Sequence, residues 1–188
     1  ITQDGRVSGT GNIGGIVGRN FDNGNLDISQ ISKYENVFGT NNIGGVIGYN
    51  AGNLTLSSIT NYGDVNGEDR VGGIIGLNGD KDILVAINSV TNLGMIIGND
   101  SLGGINGENK APIVITDSSN IGNISGSGSN IGGIIGLNQG SPSLTMTNIL
   151  NTGMIIGTNQ VSGIIGENNN STVIMSSIYN TRNIRGTD

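Results

Sequence analysis

The chain has 188 residues, of which 35 are glycine and only 2 proline, with no cysteine, histidine or tryptophan. Glycine without a triplet period or abundant proline excludes collagen, and the many isoleucines exclude a disordered glycine linker. Eight basic residues against 14 acidic ones, a formal net charge of −6, exclude a phosphate-binding surface and with it nucleic acid. No apolar run approaches the ~18 residues that would insert into a membrane. Aromatics make up 3% of the chain, so any core is built from small and β-branched side chains, which favour strands.

Taken in chain order, the first element reads QDGRVSG from Gln3, and it returns as KYENVFG from Lys33, NYGDVNG from Asn61, NLGMIIG from Asn92, NIGNISG from Asn120, NTGMIIG from Asn151 and NTRNIRG from Asn180. Its last glycine never varies: Gly9, Gly39, Gly67, Gly98, Gly126, Gly157 and Gly186. The aliphatic two places earlier is as constant, from Val7 and Val37 to Ile155 and Ile184.

The second element reads IGGIVGRN from Ile13, and recurs from Ile43, Val71, Leu102, Ile131 and Val161, with starts 30, 28, 31, 29 and 30 residues apart. A third apolar stretch, such as Leu54, Leu56 and Ile59 or Leu144, Met146 and Ile149, closes each repeat, its spacing of two typical of a strand. None of the three can bury its apolar face alone, and stacking solves that. The period predicts an all-β protein: a right-handed parallel β-helix of about six turns of ~30 residues, with three short strands per turn, the whole of 1–188 forming one array. Identical aliphatics, such as Ile16, Val46, Ile74, Ile105, Ile134 and Ile164, should then form ladders. The third stretch ends in phase with the chain's first residue, Ile1 matching Ile178, as expected of a slice from a continuing array.

The recurring glycines read as corners, with Gly14, Gly15 and Gly18 at one and Gly9 at another, often at positive φ. The structural set is Gly15, Gly18 and Asn20, then Gly45, Gly48 and Asn50, Gly73, Gly76 and Asn78, Gly104, Gly107 and Asn109, Gly133, Gly136 and Asn138, and Gly163, Gly166 and Asn168. The asparagines are expected to hydrogen-bond along the stack as a ladder. Two copies depart from the pattern: Ser162 replaces a glycine, and Asn106 replaces an aliphatic, which predicts a local irregularity or a more exposed position.

Sites of chemistry are few. GTGNIGG from Gly9 has the letters of a dinucleotide loop but is followed by a strand-like stretch rather than a helix. Among the acids, Asp64, Glu68 and Asp69 do not read as stacking on others, and Glu108 and Glu167 share a position two turns apart, so no pair of catalytic carboxylates is expected. Asp80 and Asp82 supply too few oxygens for calcium, and no metal or cofactor is expected. Asn53, Asn99 and Asn123 stand in NxS/T sequences. The one variable column, Arg19, Tyr49, Leu77, Glu108, Leu137 and Glu167, reads as an unconstrained solvent position, with a recognition face the alternative.

The segments GGIVGRN, GGVIGYN and GGIIGLN resemble the GLUG motif, with isoleucine or valine where leucine is usual, and the resemblance extends over the whole chain. Such repeats occur in large bacterial surface proteins and adhesins and in the non-catalytic region of IgA-specific zinc metalloproteases. The resemblance implies a non-catalytic structural or adhesive stalk, extracellular or on the bacterial surface, with flanking repeats or domains of the same chain as its partners. A module binding a host glycan or a host protein such as immunoglobulin is the alternative, and a polysaccharide-active β-helix enzyme stands last. No HExxH is present, so the protease chemistry of those relatives does not reside in this segment.

Overall fold

A computed structural model describes residues 5–22, 24–79, 83–140 and 143–186. The described residues contain strands and no helix, and every strand pairing is parallel. The chain is a β-solenoid of about six turns, one turn for each ~30-residue repeat.

Four sheets run the length of the coil. Sheet A stacks Arg6–Ser8, Asn36–Phe38, Val65–Asn66, Ile96–Gly98, Ile124–Gly126, Ile155–Gly157 and Ile184–Gly186. Sheet B stacks Gly11–Gly14, Asn41–Gly44, Asp69–Gly72, Asp100–Gly103, Ser129–Gly132 and Asn159–Ser162. Sheet C stacks Val17–Asn20, Ile47–Asn50, Ile75–Asn78, Asn106–Asn109, Ile135–Gln139 and Ile165–Asn169. Sheet D holds the long strands Asn25–Lys33, Asn53–Asn61, Val85–Asn92, Ile113–Asn120, Leu144–Asn151 and Val173–Asn180. The turn thus has four strands where the sequence reading counted three. The second motif breaks at Gly15–Ile16 and its equivalents, giving one strand to sheet B and one to sheet C. Even these corners are hydrogen-bonded between turns, as in Gly45 N–H to Gly72 O at 3.1 Å and Val46 N–H to Ile74 O at 3.0 Å.

The cross-section holds two apolar cores. One lies between sheets A and B, with Val37, Val65, Ile96, Ile124 and Ile155 facing Ile43, Val71, Leu102 and Ile131. The other lies between sheets C and D and takes in the corner ladder of Val46, Ile74, Ile105 and Ile134. Ile16, the rung of that ladder in the first described turn, is 48% exposed. Each buried Val, Leu or Ile contributes about 1.5–3 kcal/mol relative to exposure, and stacking multiplies one turn's contribution by the number of turns.

The glycines are required by close approach and not by backbone conformation, which corrects the expectation of positive φ. Among the described glycines only Gly140 has positive φ. A Cβ on Gly76 would come within 2.5 Å of the Asn42 carbonyl carbon and the Ile43 nitrogen, and Gly18, Gly48, Gly107, Gly136 and Gly166 meet the backbone of sheet B in the same way. Sheets B and C are therefore packed backbone to backbone. A Cβ on Gly9 or Gly98 would strike the tip of Ile13 or Leu102, a contact with flexible side-chain ends that is cheaper to relieve than the backbone contacts of sheet C.

The left-handed conformation falls instead on polar residues, all but Asn170 of them in two columns. One comprises Asn12, Asn42, Arg70, Ser101, Asn130 and Gln160 in sheet B, and the other Gln30, Ser58, Ser89, Asp117, Asn148 and Ser177 in sheet D. The second column bends each long strand and changes the inward spacing from two to three, so that Leu54, Leu56 and Ile59 all face the core.

Candidate functional site

The asparagine ladder expected from the second motif is formed. Nδ2 of Asn20 donates to Oδ1 of Asn50 at 2.8 Å, Asn50 to Asn78 at 2.9 Å, Asn78 to Asn109 at 2.8 Å, Asn109 to Asn138 at 2.8 Å and Asn138 to Asn168 at 2.7 Å. All donate in one direction along the axis. The second amide proton goes to the backbone, as in Asn50 to Gly52 O and Asn109 to Ala111 O. The ladder turns the chain from sheet C to sheet D while leaving no amide of its inner rungs without a partner.

A second ladder, which the sequence reading did not identify, turns the chain from sheet D to sheet A. Asn61 donates to Asn92, Asn92 to Asn120, Asn120 to Asn151 and Asn151 to Asn180, at 2.7–2.9 Å. Each also caps the carbonyl two residues on, such as Gly63 O and Gly122 O. The signal was the asparagine that opens the first motif in five of its seven copies. These amides press on Gly45, Gly73, Gly104, Gly133 and Gly163, where a Cβ would overlap them, and Gly15 likewise faces Lys33. Glycine column and ladder are thus two halves of one packing element.

Lys33 occupies the first rung of this ladder and is 2% exposed. Its Nζ donates to the Glu35 carbonyl, imitating the asparagine cap. Burial lowers its pKa to about 8, and Glu35 and Asp64 oppose that fall. The Oδ1 of Asn61 above it has no hydrogen-bond donor.

Asn106 is not exposed, contrary to expectation: its side chain is fully buried in a regular strand, in register with Ile75 below and Ile135 above. Neither its Oδ1 nor its Nδ2 has a hydrogen-bond partner. Ser118, another polar side chain in a core column, is satisfied, donating to Thr116 O at 2.7 Å and accepting from Val90 N–H at 3.1 Å. Ser162 stands at a position whose glycine equivalents face the turn above, and it is half-buried in the last turn.

The variable column lies on the outer face of sheet C. It is not uniformly solvent-exposed: Glu108 is 4% exposed, and its Oε1 accepts from Lys110 Nζ at 2.7 Å and from Gln139 Nε2 at 2.7 Å, with Arg70 4.0 Å from Oε2. Long side chains from the neighbouring columns bury it. In the first two turns of the column Arg19 lies over the rings of Phe21 and Tyr49. Tyr34 and Tyr62, just past the ends of their sheet D strands on the way to sheet A, stack with centroids 4.6 Å apart.

One acid pair does stack, against expectation: Asp69 and Asp100 are register partners in sheet B. Asp100 is already engaged, its Oδ1 accepting from Ser129 N–H at 2.6 Å and its Oδ2 from Asn99 at 3.1 Å. Asp64 and Asn123 similarly accept from the backbone N–H of Met95 and Met154 in the next turn, and Asn53 from that of Leu84. Asp80 and Asp82, weighed as calcium ligands, lie outside the described residues. Among the described residues no three His, Cys, Asp or Glu side chains gather where they could hold a metal ion, and no helix is long and apolar enough to cross a membrane. No family model matches the chain, and neither the curated proteins nor the solved structures show a significant match to it.

Proposed function

We propose that this chain is a non-catalytic structural or adhesive stalk segment of a bacterial cell-surface or secreted protein. The observation that carries the reading is the continuity of two amide ladders and two apolar cores through successive turns, which makes each turn a spacer for the next. Nearly every recurring residue is occupied in building the coil. Six turns at about 4.8 Å make a rod segment of about 29 Å, and flanking repeats or domains of the same chain are its natural partners. The resemblance to GLUG repeats supports the surface setting.

A recognition module is the second reading, favoured by the stacked Arg19, Phe21 and Tyr49. Small-angle scattering with a glycan array and an immunoglobulin pull-down tests the pair of readings. A stiff rod is the expected outcome for a stalk segment, and saturable binding by a chain that is not rod-like would move the assignment to recognition. Turnover of a polysaccharide by the isolated chain would overturn both.

A further inference from the structure

The chain has only six aromatic side chains, four tyrosines and two phenylalanines, and neither core contains any of them. Phe21 is 63% exposed, although a phenylalanine gains nothing by facing water. It stands at the end of sheet C beside Arg19, whose guanidinium carbon is 4.5 Å from the Phe21 ring centroid and 4.8 Å from that of Tyr49. The Tyr49 ring is itself held: its hydroxyl donates to Gly79 O at 3.2 Å, and it lies so close to Gly79 that a Cβ there would come within 2.7 Å of Cε2. Two rings, one of them pinned, thus orient one cation.

That cation is unused. Among the described residues Arg19 has no hydrogen-bond or ion-pair partner, whereas Arg70 and Lys110 face Glu108 and Lys33 is buried against Glu35 O. A guanidinium held over aromatic faces without a hydrogen-bond partner has N–H groups to offer, and its planar fork matches a carboxylate in two parallel bonds. An exposed ring beside the fork suits the C–H face of a sugar.

We propose that Arg19, Phe21 and Tyr49 form a binding site for the carboxylate of an acidic sugar, the arginine taking the carboxylate and Phe21 the pyranose face. The site does not depend on the stalk reading, since a rod lacking it would still be a rod. Scattering tests the one and titration the other.

The test is titration of the full chain with trigalacturonate, followed calorimetrically and by amide chemical shifts. Maltotriose serves as the neutral sugar and triglutamate as the peptide acid. Saturable binding of trigalacturonate is expected, with shifts centred on residues 19–22 and 49–50. Arg19→Gln should weaken it at least tenfold, Arg19→Lys several-fold because a point charge cannot fork, and Phe21→Ala several-fold. Arg185→Gln, at the far end of the rod, should leave it unchanged. Arg19 is exposed, so an unaltered unfolding midpoint in the variants shows that any loss is local. Absence of binding, full binding by Arg19→Gln, or equal binding of maltotriose or triglutamate would each overturn the proposal.

Discussion

Replacing Asn106 by isoleucine should stabilise the protein by several kcal/mol, an unusual expectation for a change at a fully buried site. The amide places two polar atoms in the core between sheets C and D without a partner, and each such atom costs about 1–3 kcal/mol. Isoleucine removes that cost and restores the column of Val17, Ile47, Ile75, Ile135 and Ile165, adding about 1.5–3 kcal/mol of apolar burial. Its branched shape already fits the turns above and below, so overpacking is small. Taken near the low end of the sum, because such terms are not additive, the combined gain is about 3.5–5 kcal/mol, or a rise in Tm of roughly 7–20 °C for a chain of this size. Urea and thermal unfolding followed by circular dichroism measure it, with hydrogen exchange of Asn106–Asn109 as a local readout. The reciprocal change, Ile75→Asn, should cost a similar amount. A neutral or destabilising Asn106→Ile would refute the reasoning, because it would mean that the amide is satisfied in the folded chain.

Three further outcomes follow from the coil. Asn109→Ala removes two donor bonds and leaves the Asn78 amide without its acceptor, so it should cost about 2–4 kcal/mol, read as a lower urea midpoint at an unchanged slope. Lys33→Asn should stabilise the first turns by about 1–3 kcal/mol by giving Asn61 Oδ1 a donor. The native lysine has a distinct pH signature. Its folded pKa of about 8 lies below the 10.5 usual for lysine, so between these limits the unfolded chain binds more protons and stability should rise with pH. Below pH 8 the penalty is constant, and Lys33→Asn should abolish the rise in a pH series of unfolding midpoints. Ser58→Gly should stabilise by up to about 1 kcal/mol, since Ser58 holds φ at 54°, while Ser57→Gly in the adjacent extended position should destabilise by a similar amount; paired thermal melts decide.

Much of the fold was legible because stacking turns recurrence into contact. A residue that returns every ~30 positions must meet its own copies, so the ladder from Asn20 to Asn168 followed from spacing alone, as did the placing of Arg19 beside Tyr49. The second ladder was equally present, in Asn61, Asn92, Asn120, Asn151 and Asn180, but a column of motif-opening asparagines looks the same in a sequence whether it faces water or a glycine backbone. The inward spacing of Leu54, Leu56 and Ile59 held a similar clue, since its slip from two to three marks the left-handed Ser58 between them.

What only the tertiary structure decided is how close things come. The glycines recur for a reason invisible in one dimension: sheets B and C pack backbone to backbone, and no side chain fits between them. Asn106 and Ser118 are both polar residues in core columns, yet one is satisfied and the other is not, because only Ser118 has a carbonyl and an N–H within reach. Glu108 looked like a solvent position until Lys110, Gln139 and Arg70, from three different turns, were seen to close over it. Period is a property of the chain and sets register, whereas burial and hydrogen-bond reach depend on distances across the coil that spacing along the chain does not encode.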